Sequence, residues 1–396
     1  MKTIKYCVVI LLTVIFYSCN QFGKSASADF SNVTQIIYDT VNSKRVNPEQ
    51  IVERCKFVKL ETDPKCLIGK VDKILFADSS IIIVDKSIAK SIFVFDMNGN
   101  FKNKVSRVGN ASNEYLNLVD VFIGPELQVF ITDNSKRKLL SFTLDGRFLG
   151  AKDNPISNFD MNYINDNRFA IFSSFNLTAD GNRKIEKTSY AIVDKDLKLI
   201  YTFGDEPHEK HPSFNLTRWR NIFRYGDRVY CTLNFGNDIY ELGADSVKVK
   251  YKLSITPGTL YEPADEDFES HLTIADARKG KPFFYGDFFE CKDFSCFLFI
   301  MPPFKQQWVF YNHKTGSVMP FSDKTSDPIL DFIYSPNARY GDNTLVESVS
   351  ATNICMAREY YEKEGIHSEQ LDQLFEGVTV DSNPVLFFYD INLGEL

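Results

Sequence analysis

The sequence predicts an all-β fold, a six-bladed β-propeller with two short helical insertions. Three observations lead there. Short apolar runs recur at intervals of 47 to 48 residues, with Ile81–Asp85 and Ser91–Asp96 echoed by Val129–Asp133 and Leu139–Phe142. Each copy ends on a hairpin signal, Asn98-Gly99 before Phe101 and Asp145-Gly146 before Phe148. A type I′ turn, which needs positive φ, explains such pairs. The composition is rich in residues that pack on pleated surfaces, with 35 Phe and 19 Tyr in 396 residues. A period of about 40–50 residues carrying four short strands marks a propeller blade. Length alone would favour two or three domains; the repeat replaces them with one ring.

In chain order, Lys2 and Lys5 precede an apolar run of ten, Cys7–Phe16. That is too short to span a bilayer and suits the core of a signal peptide. Ser18-Cys19 at its end resembles a bacterial lipobox, so residues 1–18 read as a lipoprotein signal and Cys19 as the lipidated residue. Lipid chains on one cysteine add about 0.8 kcal/mol of membrane affinity per buried CH₂. Residues 19–50 are polar and read as a tether with one edge strand at Thr34–Tyr38, and residues 51–396 as the propeller. Weaker copies of the repeat continue through Arg168–Phe172, Tyr190–Asp194, Arg228–Leu233, Asp238–Leu242, Val247–Tyr251, Cys296–Ile300 and Trp308–Tyr311, ending at Val385–Asp390. Two insertions carry helical spacing, Ala264–Arg278 and Ile354–Phe375, the second broken at Gly365.

Charge and motifs narrow the function classes. The net charge is −7 with no block of five basic residues, which argues against nucleic acid as a partner. The sequence contains no His-Glu-x-x-His, Gly-x-Ser-x-Gly, P-loop or dinucleotide fingerprint. In an exported chain, the pairs Cys55/Cys66 and Cys291/Cys296 are near enough in sequence for disulfides, while buried free thiols are the alternative.

Phe57-Val-Lys-Leu-Glu-Thr62, Leu67-Ile-Gly69, Arg107-Val-Gly109 with Glu114-Tyr115, Asn237-Asp-Ile-Tyr240 and Asn383-Pro384-Val-Leu386 together resemble the six-bladed propeller lipoproteins of Bacteroides-type bacteria, which are similar to NHL-repeat propellers. Lys59 replaces the usual Pro, and Asn110–Asn113 replaces a Gly-Pro-Gly turn. The resemblance implies six blades and a cell-envelope location, read here as the outer membrane, and the absence of an acidic cluster in residues 20–28 after Cys19 favours its periplasmic face. The resemblance implies no activity.

Inner strands of a propeller line its channel, and their starts fall near Asp72, Asp120, Asp160, Arg220-Asn221, Asp287 and Asp331. Such an acidic ring suits Ca²⁺, a hard cation that takes several oxygen ligands; the simpler role for each Asp is to cap a turn or strand start. No cofactor is otherwise implied. His208-Glu-Lys-His211 reads as a solvated loop, since two histidines alone do not hold zinc. Trp219 and Phe283–Phe289 offer either stacking platforms for a sugar or peptide, or core packing. The function expected is a non-catalytic, membrane-anchored binding or scaffold protein for a protein or glycan ligand. The alternative is a channel-centred hydrolase or lyase using the aspartates.

Overall fold

The computed structural model describes residues 24–165, 167–173, 178–179, 183–184, 188–205, 220–233, 235–262 and 278–396. Six small sheets form the six-bladed propeller. Blade 1 comprises Lys73–Ala77, Ser80–Asp85, Ser91–Asp96 and Phe101–Val105, and blade 2 comprises Asp120–Ile123, Val129–Asp133, Lys138–Phe142 and Phe148–Asp153. Blade 3 follows with Asp160–Tyr163, Phe169–Phe172, Thr188–Val193 and Leu199–Asp205. Blade 4 is Ile222–Tyr225, Arg228–Thr232, Asp238–Leu242 and Val247–Thr256. Blade 5 is Phe283–Glu290, Phe294–Met301, Lys305–Asn312 and Val318–Pro320. Blade 6 takes three strands from the end of the chain, Ala338–Tyr340, Thr344–Val349 and Val385–Ile391, and its outer strand, Val52–Lys59, from the beginning.

The blade sequences read as continuous apolar runs because both faces of each sheet are buried. In blade 1, Ile81, Ile83, Phe93 and Phe95 pack against Val346 and Leu386 of blade 6, while Ile82, Val84, Ile92 and Val94 pack against Val121 and Ile131 of blade 2. The same alternation repeats round the ring. Between blades 4 and 5 more than half of the packing residues are aromatic, with Tyr230 and Tyr251 edge-on to Phe288 and Phe297 stacked on it at 5.5 Å. The Phe and Tyr surplus is interblade core, where each fully buried ring stabilises the fold by roughly 1.5–3 kcal/mol.

The ring closes through Asn383. Its N–H donates to Thr62 Oγ1 at 2.9 Å, its Nδ2 donates to the carbonyls of Glu61 and Cys66, and its Oδ1 accepts from Ile68 N. Gly99 is needed at the same seam: its φ is +88°, and a Cβ there would lie 2.2 Å from the Lys59 carbonyl. The repeated hairpins differ from the type I′ expectation. Only Gly99 and Gly146 take positive φ, while Asn98 and Asp145 do not, and the register shifts beside each turn. These are turns with a glycine bulge, which leave the preceding residue right-handed.

Residues 24–46, expected as a tether with an edge strand, form a belt. Lys24–Ser25 pairs parallel with the outer strand of blade 3. Ala28–Asp29 and Thr34–Asp39 pair parallel with the outer strand of blade 4. Val46 bridges to Phe321 at the edge of blade 5. One insertion forms the two helices Ala351–Glu364 and Glu369–Phe375, capped by Ser350 and Ser368 and separated at Gly365, which is left-handed at φ 67°. The other insertion, save Arg278, lies outside the described residues, as do residues 1–23 with Cys19, the loop of His208 and His211, and Trp219.

Neither candidate disulfide is formed. All six cysteines among the described residues are free thiols. Cys55 packs in the blade 5–6 cluster while Cys66 packs in the blade 6–1 cluster. Cys296 is paired across the strand with Phe289, two residues before Cys291. Burial, aided by Asp327 and Asp390, pushes the Cys55 thiol up to about 12, and burial raises Cys291 and Cys296 as well.

Candidate ligand site in the central channel

At the strand-start end of the channel the expected acidic ring is replaced by an ion-paired knot. Lys73 is the first residue of the blade 1 inner strand, and its Nζ lies 3.0 Å from Asp120 Oδ1 and 3.6 Å from Asp160 Oδ1. Lys86 Nζ stands 3.0 Å from the same Asp120 oxygen. Each aspartate also hooks the next blade. Asp120 Oδ2 accepts from Met161 N of blade 3 at 3.1 Å, and Asp160 Oδ2 accepts from Asn221 N and Ile222 N of blade 4 at 2.8 and 2.9 Å. Burial would raise Asp120, but Lys73 and Lys86 hold it well below the ordinary carboxylate range. Asp160 is pushed up to about 6 by burial and by the facing Asp120, with Lys73 opposing. Burial disfavours the Lys73 ammonium, yet the two aspartates outweigh it and keep its pKa above the usual value. The ammonium stands where the acidic ring was expected to hold Ca²⁺.

The other predicted positions divide. Asp72 does not join the knot: its Oδ1 pairs with Lys70 Nζ at 2.8 Å and its Oδ2 accepts from Lys86 N and Ser87 Oγ. The 48-residue offset that linked Asp72 to Asp120 holds only for the second strand of each blade. The first hairpin of blade 2 is one residue longer, so Lys73, paired with Val84, takes the place that Asp120, paired with Thr132, holds in blade 2. Arg220 is brought in, facing the charges of Asp160 and of Asp287, which sits in the bulge of the blade 5 inner strand; its guanidinium lies 4.8 Å from the Phe289 ring centre. Asn221 contributes main-chain groups, its N–H to Asp160 and its carbonyl to the Tyr190 hydroxyl. Asp331 lies away from the channel, exposed in the turn Leu330–Phe332, and accepts from the Tyr361 hydroxyl. The sixth inner strand starts later, at Ala338. Phe283, Phe284, Phe288 and Phe289 are buried packing residues.

Beyond the knot the channel widens into a cavity of about 690 Å³, which reaches from Lys73 and Arg220 to the strand ends. Asp120 and Asp160 do not line it; Phe76, Tyr225, Tyr340, Arg224 and Arg339 do. Arg224 is half-buried, with its Nε donating to the Gly226 carbonyl at 2.9 Å and Nη1 to the Tyr163 carbonyl. Arg339 lies 4.6 Å over the Tyr225 ring and donates from Nη1 to the Gly341 carbonyl and from Nη2 to the Arg224 carbonyl. Cation–π contact and carbonyl bonds orient both planes without neutralising them.

Among known families, the model described as "Domain of unknown function (DUF4934)" matches residues 32–390. The chain belongs to the DUF4934 family. No curated protein matches it. Among solved structures, an exported protein of Bacteroides fragilis is similar, with a TM-score of 0.74 at 16% identity over 91% of this chain and 100% of that one. A DUF4221 family member from Bacteroides vulgatus gives a TM-score of 0.49 at 9% identity over 86% of this chain and 97% of that one. At 16% identity the likeness to the Bacteroides fragilis protein is one of fold.

Arg224 and Arg339 of this DUF4934 member escaped the sequence reading because it looked at the strand starts, where it found Arg220, whereas these two lie further along their strands. A signal was present: Arg224-Tyr-Gly-Asp227 and Arg339-Tyr-Gly-Asp342 are the same tetrapeptide at the ends of two inner strands. A second cluster was also unforeseen. Ser295 Oγ lies 2.6 Å from Glu290 Oε2 and 2.8 Å from His313 Nε2, and the Tyr251 hydroxyl reaches Glu290 at 3.0 Å. Ser295 is wholly buried, so no substrate reaches its hydroxyl, and the cluster ties blade 4 to blade 5.

Proposed function

We propose that this protein is an exported, lipid-anchored propeller of the cell envelope, tethered at Cys19 to the outer membrane on its periplasmic side. It acts as a non-catalytic binding protein whose ligand enters the channel cavity. One observation carries the reading: Asp120 and Asp160 are turned away from the cavity into a knot with Lys73, while Arg224, Arg339, Tyr225 and Tyr340 line the open cavity. A channel-centred hydrolase or lyase would need acid–base groups or metal ligands in reach of substrate, and Asp120 and Asp160 are instead held by Lys73 and main-chain N–H groups. The signal-like segment before Cys19 and the fold shared with an exported Bacteroides protein support the location.

Two measurements test the reading. Cells fed an alkyne-tagged fatty acid should label the wild-type protein and leave Cys19→Ser unlabelled; equal labelling would remove the anchor. The tagged soluble domain should retain a glycan or protein ligand from envelope extract, and Ala77→Trp, which fills the cavity wall, should release it. Retention that survives Ala77→Trp would move the binding surface away from the channel.

A further inference from the structure

We infer that the cavity is a receptor for a ring-bearing carboxylate, the chemistry of an acidic sugar, gripped by Arg224 and Arg339 and stacked on the tyrosines beside them. The inference rests on the reading that ligand enters the channel. The two tetrapeptides Arg-Tyr-Gly-Asp end the inner strands of blades 4 and 6, on either side of blade 5. Arg339 reaches across to Tyr225, so the arginine of one blade lies on the tyrosine of the other.

The charge balance points to an anion. Among the described residues no carboxylate lies within ion-pair distance of Arg339, and Arg224 has only Asp227 at 3.9 Å, whose side chain is fully exposed. Of the other acids around the cavity, Glu290 takes bonds from Tyr251 and Ser295, Asp342 faces Lys292 at 3.4 Å, and Asp78 is exposed in the turn before Ser80; against these three the wall carries four cations, Lys73, Arg220, Arg224 and Arg339. Both guanidiniums border the same concavity with main-chain carbonyls as their hydrogen-bonding partners, so an anion that enters meets two positive charges. A planar carboxylate matches guanidinium forks better than a spherical ion does.

The walls point to a ring. Phe76 and Tyr340 lie 4.9 Å apart and Tyr340 keeps 37% of its surface exposed. Such faces, with the Tyr340 hydroxyl as a polar tip, suit the apolar face and hydroxyl edge of a pyranose. The cavity volume falls in the range used by small-molecule sites.

Titration calorimetry of the soluble domain with galacturonate and with galactose tests this, since the two sugars differ at a single carbon, carboxylate against hydroxymethyl. Galacturonate should bind at least about tenfold more tightly than galactose, and Arg224→Ala/Arg339→Ala should bring the two level, the loss expected for charge-assisted bonds. Arg339→Lys should give an intermediate loss, and circular dichroism with a thermal melt should show each variant folded. If a variant does not fold, the wild-type preference for galacturonate and its weakening by added salt decide instead. Equal binding of the two sugars, or no binding of either, would overturn the inference, and inorganic phosphate matching galacturonate would overturn its ring component. Absence of galacturonate binding together with envelope-ligand capture that Ala77→Trp abolishes would reject the acidic-sugar class while leaving the channel as the binding site.

Discussion

Lys73 keeps its charge with only 8% of its surface exposed because two aspartates from neighbouring blades face it. Removing one member of such a group leaves buried charge uncompensated, so Lys73→Met should cost roughly 3–5 kcal/mol in chemical denaturation. Because the ammonium fills the place between the carboxylates, neither Ca²⁺ nor EDTA should move the thermal midpoint; a clear upward shift with Ca²⁺ would show a cation site that the knot does not describe. Glu347 supplies a pH response. It accepts from Tyr334 N and Ser335 N, and burial pushes it from 4.5 up to about 7. With the folded pKa above the unfolded one, the folded state binds more protons between these values, so stability falls as pH rises through that window. The shift corresponds to roughly 3 kcal/mol, in the same direction as Asp160. Denaturation midpoints should therefore be higher near about pH 5 than near about pH 8, and Glu347→Gln should flatten the difference. These charges were hard to read in the sequence because a single extra residue in one hairpin moves the phase. The 48-residue step drew attention to Asp72, whereas the 47-residue step from Gly99 to Gly146 leads from Lys73 to Asp120.

Strands and helices were more legible than the residues that line the channel. Runs such as Ile81–Asp85 admit few alternatives, since both faces are apolar and short polar turns, Asp78-Ser79 before and Lys86-Ser87 after, bound this one. The helix break at Gly365 could be read because glycine adopts the left-handed cap at little cost. The belt could be read only at Thr34–Asp39, where alternation is long enough to show. Its other pieces are two residues long, and their parallel partners lie more than 170 residues away. Alternation in that strand makes a sharp prediction. Ile36 is wholly buried and Ile37 is 52% exposed. Ile36→Ala should cost about 2–5 kcal/mol, whereas Ile37→Ala should stay within about 0.5 kcal/mol. Equal costs would mean that the strand does not hold this register in solution.

At the scale of the whole molecule, the repeat spacing left six or seven blades and the family resemblance pointed to six, but neither gave the manner of closure. The outer strand of blade 6 lies more than 320 residues from its partner in sequence, a distance no local pattern encodes. Closure makes the termini interdependent. A chain starting at residue 24 should melt as one starting at residue 19 does, while one starting after Lys59 should lose cooperative unfolding, because Val385–Ile391 is stripped of its neighbour. The belt adds a mechanical consequence. A force applied at residue 24 runs along parallel strands on blades 3 and 4 and a bridge on blade 5 before it meets Val52–Lys59. Those contacts resist by sliding hydrogen bonds together, so tension entering from that end would be dissipated round the rim before it could unzip the seam that makes the ring.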